Sequence, residues 1–166
     1  MDTKKLQKAN KDDTTFKVAR NDFAIEVGDS KQLDFKPQVK IMKWNNEVNF
    51  SIRAEEKENS QVIEEDGVIK YINDDYEVHQ YEKPEVGEDG GFEFEWVLNK
   101  KPISNIIKST IRTKGLDFLY QPELTEEEKK EGHERPENVV GSYAVYHNGK
   151  KDNKYKTGKA FHIYRP

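Results

Sequence analysis

Apolar and polar residues alternate over most of this chain, which is the spacing expected of half-buried β-strands. The clearest alternation covers 48–54 and 92–98; in the second run aromatic residues occupy one parity and glutamates most of the other. Shorter runs of the same kind cover 23–27, 39–41, 76–81, 116–120, 139–146 and 159–164. Together with shorter candidates at 68–72 and 103–111, the pattern predicts about eight to ten short strands.

Turn and cap signals separate these runs. The tetrapeptide Trp44–Asn45–Asn46–Glu47 between two alternating segments predicts a hairpin. Asn148-Gly149 and Thr157-Gly158 bracket a lysine-rich loop that should join the last two strands. In the segment 33–44, which also carries Leu33 and Phe35, Pro37 should lie at an edge or bend.

One helix is predicted, from Thr125 to Glu131. Thr125 can cap its first turn, Glu128 three residues later can complete a capping box, and Gly132 ends it. The segment has no apolar stripe, so it belongs on the surface.

These elements predict an all-β protein, an antiparallel, jelly-roll-like β-sandwich with one short surface helix. We expect a flexible polar lead-in over 1–21 and a single domain over 22–166. The predicted core combines two strand faces, listed here in chain order: Val48, Phe50, Ile52, Phe92, Phe94, Trp96 and Leu98.

Composition modifies this picture. The hydrophobic content of 33%, the charged content of 36% and the mean hydropathy of −1.06 would favour disorder by themselves. Eight Phe, eight Tyr and two Trp, at regular spacings, argue instead for a folded domain with a thin core. Without cysteine, disulfides, zinc–thiolate sites and thiol catalysis are excluded.

Charge is unevenly distributed, although the net charge is only −4. The stretch 55–95 holds fifteen acidic residues against three lysines, whereas 148–166 holds six basic residues against one aspartate. Because the chain as a whole is not basic, we expect no nucleic-acid partner. Membrane insertion is not expected either, since no apolar run reaches spanning length, and 1–20 contains no secretory signal pattern.

Two kinds of metal site are conceivable. His147 and His162 could face each other across the last hairpin and hold zinc or copper, but no third ligand can be placed; the alternative is two ordinary strand-face histidines. Calcium is the one cofactor that the acidic loops suggest, at Glu64-Glu65-Asp66, Asp74-Asp75 and Glu88-Asp89. The ordered Asp-x-Asp-x-Asp-Gly loop is missing, which favours solvated turns.

The tyrosines suggest a binding function. Exposed tyrosines beside carboxylates bind sugars by ring stacking and hydrogen bonds. The candidates are Tyr71, Tyr76, Tyr81, Tyr143 and Tyr146. The alternative is that most of them build the core that the few aliphatic residues cannot fill.

No catalytic residues can be nominated. Gly141-Ser142 does not lie in a Gly-x-Ser-x-Gly elbow, and no glycosidase pair can be selected among so many carboxylates. We therefore predict that the chain is not an enzyme.

From Phe92 onward the chain resembles a group of uncharacterised phage and environmental proteins, in the region that precedes surface modules of the DNRLRE and Rhs type. The matching segments are FEFEWVL at 92–98, TKGL at 113–116, YQPEL at 120–124, RPENVVGSYAVYH at 135–147 and TGKAFHIYRP at 157–166. The resemblance implies a β-sandwich that leads into further β-modules of the same polypeptide, at a cell surface or in a virion. It supplies no catalytic residues.

Three hypotheses follow. The first is a non-catalytic structural or display module of a larger surface or virion-associated protein, whose partners are the neighbouring β-modules. The second is a carbohydrate-binding module that uses exposed aromatics, with or without calcium. The third is a fragment of a polysaccharide-active enzyme. Since the sequence stops directly after a strand, we also expect the chain to be a fragment of a longer one.

Overall fold

A computed structural model describes residues 7–8, 16–20, 22–28, 39–55, 57, 60–149 and 158–164. These residues form β1 (Gln7–Lys8), β2 (Phe16–Arg20), β3 (Phe23–Val27), β4 (Val39–Lys43), β5 (Val48–Ala54), β6 (Gln61–Glu65), β7 (Val68–Ile72), β8 (Tyr76–Lys83), β9 (Gly91–Leu98), β10 (Ser109–Lys114), β11 (Leu116–Tyr120), α1 (Glu126–Lys130), β12 (Tyr143–His147) and β13 (Lys159–Ile163). The fold is all-β, antiparallel and sandwich-like with one short helix, as the alternating pattern predicts.

The strands form three antiparallel sheets. A central sheet has the order β1-β2-β3-β4-β5-β10, a four-stranded sheet has the order β6-β7-β8-β9, and a three-stranded sheet has the order β11-β12-β13. Nearly all neighbouring strands are consecutive in the chain, so sheet order largely follows chain order. The exception is β10, which returns to the central sheet after the four-stranded sheet is complete and pairs with β5.

The predicted β4–β5 hairpin is confirmed. Trp44, Asn45 and Asn46 all have positive φ, and the Glu47 N–H donates to the Trp44 carbonyl at 3.1 Å. Asparagine tolerates this left-handed backbone better than most residues, because its short amide can bond locally. Here the Asn49 amide nitrogen donates to the Asn46 side-chain oxygen at 2.6 Å.

Strand β5 connects the parts of the core. Because residues two apart share a strand face, the even-numbered residues of β5 all point inward. Val48 and Phe50 contact the three-stranded sheet, Ile52 contacts the cluster under the central sheet, and Ala54 packs with Tyr71 of the four-stranded sheet. One strand face therefore contributes to every cluster.

The core consists of three clusters with shared borders. The first joins β2, β3 and β4 to Ile69, the second joins Trp44 and Val48 to the three-stranded sheet, and the third lies around Tyr76. Phe161 packs against the first and second clusters, and Phe94 packs against the first and third.

The structure corrects the predicted start of the domain. Within the predicted lead-in, Phe16–Arg20 is strand β2, and Phe16 and Val18 are buried in the first cluster. Phe16 and Val18 alternate with the exposed Lys17 and Ala19, and this five-residue alternation is too short to stand out in a lysine-rich segment. A boundary at 21/22 is therefore wrong for this part of the chain.

Several strand boundaries also differ from the pattern. Strand β6 was not predicted, since its residues are mostly exposed and it carries two glutamates. Strand β12 begins at Tyr143, because 137–141 forms turns. The predicted strand at 103–111 begins only at Ser109. Leu33, Phe35 and Pro37 lie outside the described residues.

The helix prediction is confirmed in detail. The Thr125 hydroxyl accepts from the Glu128 N–H at 3.3 Å, while the Glu128 carboxylate accepts from the Thr125 N–H at 2.7 Å. No residue of α1 is buried. In the part of the chain that the structure describes, no helix is long and apolar enough to cross a membrane.

Candidate functional site

Two of the five candidate tyrosines lie in the core. Tyr71 and Tyr76 are both buried in the third cluster. The Tyr76 hydroxyl donates to the Glu55 carbonyl at 2.5 Å, and the Tyr71 hydroxyl accepts from the Lys57 N–H at 3.2 Å. Burial raises the pKa of Tyr76. Neither ring has an open face for a sugar, so these two residues are corrected from binding candidates to core residues.

Tyr81 lies on the outward face of the four-stranded sheet and is half-buried. It is paired with Glu93, and burial first, then the Glu95 and Glu93 carboxylates, raise the pKa of its hydroxyl. The tyrosine is therefore flanked by carboxylates, as the carbohydrate hypothesis expects.

Tyr143 and Tyr146 are exposed on β12. Tyr143 is 41% exposed and lies directly opposite Tyr120 in the register, with ring centroids 5.3 Å apart. Tyr120 was not among the predicted residues, because only strand pairing brings it to Tyr143. The two rings form an exposed aromatic pair at the end of the three-stranded sheet.

The two candidate metal-binding histidines are engaged separately. His147 is almost fully buried; its Nε2 lies 2.8 Å from Glu47, and its Nδ1 accepts from the Gly149 N–H, which assigns the Nε2–H tautomer. The partner of His162 in the register is Ala144, three residues from His147 along β12. The predicted His147–His162 pair is therefore not assembled.

His162 instead contacts Ser142 and Tyr164. Its Nε2 lies 2.7 Å from the Ser142 hydroxyl, and its ring stacks on Tyr164 at 4.2 Å. Burial, with a smaller effect of Lys159, lowers the pKa of His162. Ser142 is fully buried and also donates to the Val139 carbonyl at 2.6 Å.

Each of the three acidic clusters suggested for calcium has one carboxylate that pairs with a lysine. Glu65 pairs with Lys70, Asp89 pairs with Lys43 at 2.8 Å, and Asp75 pairs with Lys100 at 2.7 Å, which holds the pKa of Asp75 below its usual value. Among the described residues, no group of three or more histidines and carboxylates is arranged to hold a metal ion.

The most unusual surface is one that the periodicity did not single out: β10 and the loop before it, residues 99–114. We call it the cationic edge. It contains five basic residues and no acidic one. It also exposes four isoleucines, Ile103, Ile106, Ile107 and Ile111, by 108%, 66%, 51% and 57%. The sequence signal that could have identified it is this combination of lysine and isoleucine without alternation.

Strand β10 pairs with β5, but none of its residues belongs to the described core clusters. Its register places Ile111 opposite Ile52 and Thr113 opposite Phe50, on the inward face of the central sheet. All six residues of β10 are nevertheless exposed. Among the described residues β10 pairs with β5 alone, so its other side is an edge of the sheet.

A shallow, open hollow of about 740 Å³ adjoins this edge. Its polar lining includes Arg53 and Arg112, the hydroxyl residues Ser51 and Thr110, and one carboxylate, Glu55. By register Arg53 lies opposite Thr110 and Arg112 opposite Ser51, so both arginines share the outward face of the central sheet. Guanidinium groups beside hydroxyls are suited to binding carboxylates.

Comparison of the chain with protein-family models, curated proteins and solved structures finds no match. The resemblance in 92–166 therefore stays a prediction. The cationic edge combines an unpaired strand edge among the described residues, exposed isoleucines and charge of one sign.

Proposed function

We propose that the chain is a non-catalytic structural module that works by contact, and that β10 is its contact strand for an extended, acidic segment of another polypeptide. The observation that carries the proposal is that all six residues of β10 are exposed and that, among the described residues, the strand is paired on one side only. A free strand edge binds an extended partner through main-chain hydrogen bonds, and side chains decide which partner fits.

The charges of the edge select the partner. Lysine on an edge strand discourages pairing with a similar edge, because like charges would lie opposite each other. An acidic strand would instead place its carboxylates opposite these cations. Apolar residues at alternate positions of the partner can cover Ile111, while its carboxylates face Arg112 and Lys114 on the other side of the sheet.

This proposal is tested with a peptide. A seven-residue peptide that alternates Glu and Val should bind the protein, whereas the same peptide with Lys in place of Glu should not, as measured by fluorescence anisotropy. The variant Arg112→Glu/Lys114→Glu should weaken binding of the acidic peptide at least about tenfold. The matched control is Lys129→Glu/Lys130→Glu on α1, which has the same charge change away from the edge. Equal binding of the two peptides would contradict the proposal.

A second candidate is carbohydrate binding, which the exposed Tyr120–Tyr143 pair supports. A glycan array with and without chelator tests it, using Tyr143→Ala and, as a control, Tyr164→Ala, which lies directly after β13. Binding that is lost in the first variant and retained in the second would support this candidate. A blank array under both conditions would count against it.

A further inference from the structure

A second edge strand of the same molecule has the properties required of the partner. Strand β9 ends the four-stranded sheet and, among the described residues, pairs with β8 alone. Its sequence alternates aromatic and acidic residues. Phe94 and Trp96 point toward the core, whereas Glu93 and Glu95 lie opposite Tyr81 and His79 on the outward face.

The spacing of the charges on the two edges is the same. Glu93 and Glu95 are two residues apart on one face of β9, and Arg112 and Lys114 are two residues apart on one face of β10. Residues two apart in a strand are separated by about 6.5–7 Å. Paired strands place side chains of one face side by side, so two carboxylates would lie within direct or diagonal reach of two cations.

The apolar positions of β9 and β10 also match when the charged positions of the two strands are paired. If Glu93 lies on the side of Arg112, then Phe94 must lie on the side of Ile111, because successive residues alternate between faces. The exposed Ile111 would then be covered by an aromatic side chain. A shift by one residue would lose both matches, since it moves every side chain to the other face.

We propose that the partner of β10 is β9 of a second copy of this chain. This inference rests on the proposed function and identifies the polypeptide that pairs with the β10 edge. Pairing of β9 with β10 is favoured over the two symmetric pairings. Two β10 edges would place cations opposite cations, and two β9 edges would place carboxylates opposite carboxylates. A contact between two different surfaces is heterologous, so it repeats from copy to copy and builds a ring or a filament.

Existing ion pairs on β9 do not prevent this contact. Glu93 lies 3.4 Å from Lys83, and Glu95 lies 3.8 Å from His79. All four side chains are at least partly exposed. Exposed ion pairs of this kind contribute little stability, so their carboxylates can exchange partners when a second copy approaches.

Charge reversal tests the inference. The first variant is Arg112→Glu/Lys114→Glu, and the second is Glu93→Lys/Glu95→Lys. Sedimentation velocity over a range of protein concentrations should show assembly of the wild type and a dissociation constant at least about tenfold higher for each variant alone. An equimolar mixture of the two variants should assemble again, because each supplies the charge that the other lacks.

Two controls complete the experiment. Lys129→Glu/Lys130→Glu should assemble like the wild type, and near-ultraviolet circular dichroism should show that every variant is folded. A variant that combines all four reversals at 93, 95, 112 and 114 should assemble again, since both edges have exchanged sign. Recovery in the mixture and in the fourfold variant supports the inference.

The failure of this inference differs from the failure of the proposed function. If the wild type stays monomeric but binds the acidic peptide, the second copy is the wrong occupant and the contact function stands. If it neither assembles nor binds that peptide, both are overturned. If it assembles but both variants assemble equally well, the β9–β10 contact is wrong.

Discussion

The two tryptophans of this chain have different environments, although both lie in or beside alternating runs. Trp44 is 4% exposed and packs in the second cluster, 5.8 Å from the ring of His147. Trp96 is only partly buried and packs beside Tyr76 at 4.7 Å. The sequence predicted Trp96 as one of the core residues, and the structure packs it partly buried against the third cluster, whereas Trp44 is buried.

Single-tryptophan variants should show this difference. In Trp96→Phe the remaining Trp44 should emit at shorter wavelength and resist quenching by acrylamide, whereas in Trp44→Phe the remaining Trp96 should be quenched more readily. Trp44→Ala should lower the free energy of unfolding by about 3–5 kcal/mol, and Trp96→Ala by less. The reverse order in urea unfolding would contradict the assignment.

A buried carboxylate links the four-stranded sheet to the central sheet. Glu82 of β8 is 7% exposed at its side chain and lies 3.0 Å from the Arg20 guanidinium of β2. Burial raises the pKa of Glu82 above its ordinary value of 4.5, and Arg20 offsets only part of this rise. The folded chain therefore binds this proton more tightly than the unfolded chain does.

Stability should depend on pH accordingly. The contribution of Glu82 is fully present below pH 4.5 and is lost as the pH rises through the raised pKa of the folded state. Glu82→Gln should remove this fall, as measured by urea unfolding at a series of pH values. An unchanged pH dependence would contradict the role of Glu82.

Glu128 of α1 is a control of opposite sign. Hydrogen bonds from Thr125 lower the pKa of Glu128, so its contribution is present above pH 4.5 and is lost as the pH falls. Glu128→Gln should therefore remove the loss of stability that accompanies falling pH, as measured by urea unfolding over the same series of pH values.

At the scale of elements, β5 and β10 are neighbours in one sheet with opposite surroundings. The even-numbered residues of β5 contribute to all three clusters, while every residue of β10 is exposed. The difference does not lie in β propensity, since both strands contain β-branched residues. Residues of β5 pack in clusters with residues of both other sheets, whereas no residue of β10 belongs to a described cluster.

Isoleucine substitutions should separate the two environments. Replacing Ile106 and Ile111 by Ser should change the free energy of unfolding by no more than about 0.5 kcal/mol each, because both side chains are already exposed. Ile69→Ala is the comparison; Ile69 is fully buried, and its loss should cost about 2–5 kcal/mol. Thermal unfolding measures both. A large loss from the exposed pair would mean that another part of the chain covers the edge.

At the scale of the whole molecule, the three sheets share one continuous core. Phe161 bridges the first and second clusters, and Val62 and Phe94 bridge the first and third. Contacts of this kind couple the sheets, since none can separate without exposing apolar surface of its neighbour. We therefore expect one cooperative transition.

The single-tryptophan variants also test this cooperativity, because Trp44 reports on the second cluster and Trp96 on the third. Within each variant, the fluorescence midpoint in urea should coincide with the far-ultraviolet circular dichroism midpoint. Adding Phe161→Leu should lower both midpoints together, at a cost of about 1 kcal/mol. Separate midpoints within one variant would indicate that the sheets unfold independently.

Local features were predictable to the residue. The β5 boundaries, the turn at 44–47 and the Thr125–Glu128 capping box all follow from interactions within a few residues, and the structure confirms each of them. The errors concern features that depend on distant partners. Leu98 belongs to the predicted core face of β9, yet it is 47% exposed because it lies at the end of an edge strand.

The candidate site residues show the same difference between local features and features that depend on distant partners. Tyrosines could be named from the sequence, but Tyr71 and Tyr76 became core residues and Tyr120 became the partner of Tyr143 only through strand pairing. The four isoleucines of 99–114 would be assigned to a core by their chemistry alone. Only the tertiary structure shows that they are exposed.

The amino-acid sequence by itself determined the strand class, the hairpin turn and the capped helix, because period-two alternation, backbone sterics and capping act over a few neighbouring residues. Only the tertiary structure decided which strands form edges, which aromatic residues are buried, and that β9 and β10 present opposite charges. These properties depend on which strands become neighbours in a sheet, and one strand's side-chain pattern is compatible with both a covered and an open position.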